Sequence, residues 1–130
     1  MQIHHKSIDS CDLFEIVGDL TAATVPDLEQ MLRTTIHMGR FHLVLNLEKC
    51  TYIGSSGLSL LIAYAKTCRR FDRGDVYLAM VQEPVLRMMR IIGLVKEEEE
   101  PNFFQMFDSV EAALEAASSH QPGMQKRRLI

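Results

Sequence analysis

Apolar and polar positions change period several times along the chain, and each change marks an element. Ile3 to Ile8 and Leu13 to Val17 are short apolar-rich runs parted by the turn formers Asp9-Ser10-Cys11-Asp12, which predicts a hairpin. Gly18 to Ala23 follows as a loop. Thr24 can cap a helix, with Asp27 as the acid of a capping pair. Leu28, Met31, Leu32 and Ile36 then recur at helical spacing up to the stop at Gly39. Phe41, Leu43, Leu45 and Leu47 alternate with His42, Val44 and Asn46, the period of a strand.

A second helix is predicted from about Ser55 to Arg70. Its apolar face carries Leu58, Leu61, Ile62, Ala65 and Cys68, and Arg69 and Arg70 suit its C-terminus. Val76 to Val81 is an unbroken apolar run of strand length, as expected of a strand buried on both faces. Pro84 opens a third helix with Val85, Met88, Met89 and Ile92 inward. Phe103 to Phe107 reads as a last strand. Asp108 with Glu111 caps a fourth helix, on which Val110, Ala113, Leu114 and Ala117 face in. Strand and helix alternate from Phe41 onward, so the strands should be parallel and joined by right-handed crossovers. The expected fold is α/β: a mixed sheet of four to five strands flanked by about four helices. One domain should span 1–119, and 120–130, with Lys126-Arg127-Arg128, reads as a polar, basic tail without fixed structure.

Composition narrows the function classes. The chain has 130 residues, 47% hydrophobic and 24% charged, with a formal net charge of -3. Its 14 Lys and Arg are scattered, so nucleic acid is not an expected partner. Cys11, Cys50 and Cys68 are odd in number and unpatterned, which reads as free, buried thiols in a reducing compartment. Met1 to Lys6 lacks the apolar run of a signal peptide, and no apolar stretch reaches the length of a membrane span. The expected location is the cytoplasm.

The chemistry concentrates at Gly54-Ser55-Ser56-Gly57-Leu58. This segment joins a buried strand to a helix, and a helix N-terminus offers unpaired N–H groups and a partial positive charge. A serine there serves as a cap, a nucleophile or a phosphate acceptor. A nucleophile elbow needs a glycine two residues before and two after the serine. Ser55 has Ile53 and Gly57 at those positions, and Ser56 has Gly54 and Leu58. The only histidine downstream is His120, in the tail. A phosphate-binding loop would need Gly-Lys-Ser/Thr, which is absent. His4 and His5 point to opposite faces of a strand and with Cys11 supply two metal ligands at most. Glu97 to Glu100 reads as a solvated acidic loop, and Arg87 and Arg90 as exposed charges. A cap accounts for one hydroxyl, but not for the second or for the glycines. Phosphate on an exposed serine here would be carried by the fold and would repel an acidic or apolar partner.

Val44-Leu45-Asn46-Leu47 followed by Tyr52-Ile53-Gly54-Ser55-Ser56-Gly57-Leu58 resembles the signature of STAS domains, the anti-sigma factor antagonists of bacteria. Gly18-Asp19-Leu20 with Thr24, Pro84-Val85-Leu86-Arg87, Gly93-Leu94 and Phe107 to Ala113 extend the similarity in order, from Ile3 to about Ala117. Three acids of the family pattern are missing: their places hold Gly54, Asn46 and Thr21.

The resemblance implies binding rather than catalysis, with no cofactor or metal of the protein's own. The unphosphorylated antagonist would sequester an anti-sigma factor that is itself a serine kinase. Using its own ATP, that kinase would phosphorylate Ser55, with Ser56 the second choice, and a serine phosphatase would reverse the step. The implied docking face comprises Gly18, Asp19, Thr21, Thr24, Gly54, Ser55, Ser56, Gly57 and Leu58. A homodimer is left open. The alternative keeps the fold without the switch, as an adaptor subunit of a lipid-transport ABC complex or of a signalling assembly.

Overall fold

A computed structural model of the chain describes residues 1–95 and 102–120. The predicted hairpin is β1 (Gln2–Ile8) and β2 (Cys11–Val17), antiparallel about the turn at Asp9 and Ser10. Then come α1 (Val25–His37), β3 (His42–Asn46), α2 (Ser55–Arg69) with a short 3-10 turn (Arg70–Asp72), and β4 (Asp75–Ala79). The order closes with α3 (Glu83–Ile91), β5 (Gln105–Phe107) and α4 (Val110–Ser118). The sheet runs β1-β2-β3-β4-β5 in chain order, and β2 to β5 are parallel.

Side-chain period decides which face of the sheet each residue serves. Phe14, Ile16, Leu43, Leu45, Val76 and Leu78 pack with Leu28, Leu32, Leu58, Leu61, Val85 and Met89 from α1, α2 and α3. Each such leucine, fully withdrawn from water, contributes roughly 1.5–3 kcal/mol. The alternate positions Cys11, Val44, Tyr77 and Ala79 pack instead under Ala113 and Ala117 of α4. The alanines let α4 lie close on a face that already holds a tyrosine. Both faces of β3 and β4 are therefore covered, as the unbroken run at Val76 predicts.

Two buried carboxylates tie distant segments together. Asp12 accepts from Ser7 Oγ at 2.7 Å, His5 Nε2 at 2.9 Å and Arg40 Nε at 2.6 Å. The same guanidinium donates to the carbonyls of Asp9 and Cys11, locking the hairpin turn to the α1–β3 connection. Asp75 accepts from Arg69 Nε at 2.7 Å and Gln105 Nε2 at 2.9 Å, joining the end of α2 to β4 and β5. The three cysteines are free and buried. Burial pushes the Cys68 thiol up to about 12 and also raises Cys11 and Cys50.

Four expectations shift in detail. Thr24 precedes α1, but its backbone is already helical and its hydroxyl makes no cap. The fourth helix is capped one residue later than predicted, by Ser109, whose extended backbone lets Oγ accept from Ala112 N–H at 3.1 Å. Ile92 is not inward but half exposed, because α3 stops at Ile91 and Gly93 (φ 82°) turns the chain away. His120 is packed, its side chain 6% exposed, with its ring centroid 5.2 Å from that of His42. The acidic run Glu97 to Glu100 and positions 121–130 lie outside the described residues.

Candidate functional site

The C-terminal ends of β2 and β3 carry the segments that surround Ser55. After β2 the chain turns at Gly18, whose φ of 111° suits glycine and whose N–H donates to the Lys49 carbonyl. Leu20 then pairs with Ile53 as a single parallel bridge. Leu20 N–H donates to the Tyr52 carbonyl and Gly54 N–H to the Leu20 carbonyl, each at 2.9 Å. The 18–24 loop is thus held directly against the residues leading into α2. Thr24 shapes it from within: its hydroxyl accepts from Thr21 N–H at 2.8 Å and donates to the Asp19 carbonyl at 2.9 Å. Gly18, Asp19, Thr21 and Thr24 are therefore brought beside the head of α2, where Ser55 is exposed and Ser56 half-buried, whereas Gly54, Gly57 and Leu58 of the predicted docking face are buried.

Within α2 the motif residues divide their tasks. Gly54 is the N-cap, with extended backbone and no side chain to close the helix end. Ser55 is the first helical residue and is exposed; Ser56 is half-buried. Among the described residues neither hydroxyl makes a hydrogen bond, so neither serine acts as the cap. No acidic residue stands in the first turn of α2. The first N–H groups of the helix therefore have no side-chain cap, and no acid within the first turn offsets their partial positive charge.

Gly57 and Leu58 are buried against the loop. A Cβ at Gly57 would lie 2.8 Å from Ile53 Cγ2 and 3.0 Å from Leu20 Cγ, which accounts for the second glycine. Gly57→Ala should destabilise the fold by about 1–2 kcal/mol, the strain of overpacking exceeding the roughly 1 kcal/mol that alanine gains as a helix former. It should also displace the loop from Ser55. An unchanged melting temperature would show instead that Leu20 and Ile53 yield freely.

The three missing acids are accommodated locally. Asn46 Oδ1 accepts from Glu48 N–H at 3.1 Å, turning the chain after β3 as an aspartate would. Thr21 Oγ1 accepts from Ala23 N–H. At Gly54 the space an acid would enter adjoins Tyr52, whose hydroxyl lies 3.4 Å from an ideal Cβ. Tyr52 is 48% exposed and stands at the edge of the surface. Sequence reasoning quoted it within the motif but assigned it no part; its signal was a large aromatic placed beside two glycines. His120 packs on His42, the first residue of β3, whereas Ser55 follows the other end of that strand. The two lie toward opposite ends of that strand, so His120 is not beside Ser55.

The comparisons with known proteins agree with this geometry. The sequence matches the STAS domain family over residues 2–113. An anti-sigma-B factor antagonist of Staphylococcus epidermidis is 30% identical over 96 residues, which is 72% of this chain and 88% of the relative. An anti-sigma factor antagonist from Mycobacterium paratuberculosis superposes with a TM-score of 0.76 at 20% identity, over 91% of this chain and 94% of the other. The anti-sigma factor antagonist SpoIIAA in its unphosphorylated form superposes with a TM-score of 0.70 at 16% identity, over 91% and 99%. With the motif, the element order and the five-stranded mixed sheet all in agreement, the chain belongs to the STAS domain family.

Proposed function

We propose that this protein is a cytoplasmic anti-sigma factor antagonist that binds an anti-sigma factor and is switched off by phosphorylation of Ser55. The observation that carries the reading is the exposed Ser55 hydroxyl on a helix N-terminus that has neither a side-chain cap nor an acid in its first turn. A phosphate there adds close to two negative charges where backbone N–H groups point outward, so the fold tolerates it. The same charge, set among Asp19, Tyr52 and the 18–24 loop, opposes a partner whose surface there is acidic or apolar. The staphylococcal relative, named as an anti-sigma-B factor antagonist, supports the choice of partner. The partner would be a serine kinase supplying its own ATP, a phosphatase would restore the hydroxyl, and the protein itself would catalyse nothing and hold no cofactor.

A second reading is favoured by Gly54, Asn46 and Thr21 standing where the family pattern has acids. If those acids guide the kinase, the domain is a constitutive adaptor in a transport or signalling assembly and Ser55 is never modified.

One affinity experiment separates the two readings. Wild type, Ser55→Ala and Ser55→Asp are used to capture partners from native lysate, and the wild type is then incubated with the captured protein and ATP. The switch predicts that a kinase-like anti-sigma factor is held by wild type and Ser55→Ala. Ser55→Asp should bind it at least about tenfold more weakly, which is 1.4 kcal/mol. Mass spectrometry should then find phosphate on Ser55. Equal capture by all three proteins, with Ser55 unmodified, gives the adaptor.

A further inference from the structure

The connections of the parallel strands diverge at one place among the described residues. β2, β3 and β4 lead into α1, α2 and α3 on one face of the sheet, whereas β5 leads into α4 on the other. Beyond the ends of β4 and β5 the chain therefore departs in opposite directions. In open α/β sheets that divergence leaves a crevice outside the carboxyl ends of the two strands, the place where such folds receive ligands.

A cleft of about 490 Å³ occupies this place, a volume typical of small-molecule sites. Its walls are Met80 and Gln82 beyond β4, Leu86 and Arg90 of α3, and Phe107 and Asp108 at the end of β5. Met80 has φ 58°, a left-handed conformation that is costly for a residue with a side chain. Its N–H donates to the Phe107 carbonyl at 2.9 Å, so the strained residue holds the strand ends together where their connections part. Gln82 Nε2 donates to the Met80 carbonyl, bracing the same turn.

The chemistry of the walls defines what fits. Leu86, Phe107 and Met80 are apolar. Arg90 and Asp108 bring one positive and one negative charge to the same cleft, and among the described residues no ion pair joins them. Among the described residues Arg90 pairs with Glu83, at 3.3 Å, with both side chains more than half exposed, a contact that a competing carboxylate displaces at little cost. Among the described residues the lining is thus dipolar, with one charge of each sign. We propose that this cleft binds a zwitterion with an apolar body, the class of an apolar α-amino acid: the ligand carboxylate on Arg90, its ammonium on Asp108, and its side chain against Leu86 and Phe107. The cleft shares no lining residue with the Ser55 surface, and neither reading depends on the other.

The test is a ¹⁵N–¹H NMR titration of the full chain with L-phenylalanine, with 3-phenylpropionate lacking the ammonium and 2-phenylethylamine lacking the carboxylate. Saturable shifts are expected at the amides of Met80, Gln82, Arg90 and Asp108. Arg90→Gln and Asp108→Asn, both exposed and close in shape, should each weaken L-phenylalanine about tenfold or more, and both single-charge analogues should be weaker by a similar factor. Absence of saturable shifts up to about 10 mM overturns the proposal. Shifts centred elsewhere, or an affinity unchanged in both variants, overturn it as well.

Discussion

Gly74→Ala should cost the fold about 3–5 kcal/mol, although it adds a single methyl group. A Cβ at Gly74 would stand 2.1 Å from the Phe41 carbonyl oxygen and 2.6 Å from its carbon. Both are backbone atoms, so no rotamer change relieves the clash. The same carbonyl accepts from Asp75 N–H at 3.1 Å, the bond that begins the pairing of β3 with β4. Displacing it loosens the two central strands together with Asp75, which ties α2 to β5. Against a total stability of about 5–15 kcal/mol for a domain of this kind, the loss is large. Urea denaturation of the variant provides the check: a midpoint within experimental error of wild type would mean that the segment before β4 shifts without strain.

Asp12→Ala should cost about 2–4 kcal/mol. The carboxylate is fully buried, and its removal strips three donors, from Ser7, His5 and Arg40, of a common acceptor. Arg40 keeps partial access to water, which holds the figure below that of a sealed ion pair. The same site sets a pH dependence. Burial pushes the Asp12 carboxyl up, but the hydrogen bonds from Ser7, His5 and Arg40 outweigh it and leave it below the ordinary carboxylate value. A carboxyl held low in the folded state stabilises the fold at every pH above its unfolded value, about 3.9. That stability is lost as pH falls from there through the lower folded value. Wild-type stability should therefore drop over this acid window, and Asp12→Ala should flatten that part of the curve. Parallel curves for the two proteins would assign acid sensitivity to other groups.

What could be read without coordinates followed from period and punctuation. The alternation from Phe41 to Leu47 separates residues that enter the main core from those that lie under α4, and the run at Val76 announces a strand covered on both sides. Ser55 at the head of α2 follows from glycines that interrupt an apolar pattern just where a strand gives way to a helix. Period cannot tell which side of a sheet a helix takes. Leu28 on α1 and Ala113 on α4 look alike as inward positions, yet they cover opposite faces. Contacts between residues far apart in the chain were equally hidden. The grip of Arg40 on Asp12, the bridge from Leu20 to Ile53 and the closeness of Gly74 to Phe41 leave no trace in local spacing. Tyr52 escaped notice for the same reason, since its place beside Gly54 depends on how the loop from β2 folds back. The cap at Ser109 shows a smaller limit: adjacent Asp108 and Ser109 both fit the pattern, and only backbone angle chooses between them.

Because the strands lie side by side in the order in which they are made, each finds its neighbour already in place, and the sheet can grow as the chain is synthesised. The cover for its second face comes last. Between completion of β4 and arrival of α4, Val44, Tyr77 and Ala79 have no helix over them. At about 5–20 residues per second this interval lasts a few seconds, during which the nascent chain presents a sticky sheet surface to chaperones and to other copies of itself. Late damage to α4 would reopen that window in the finished protein, so substitutions at Ala113 or Ala117 should reduce soluble yield before they alter binding at Ser55.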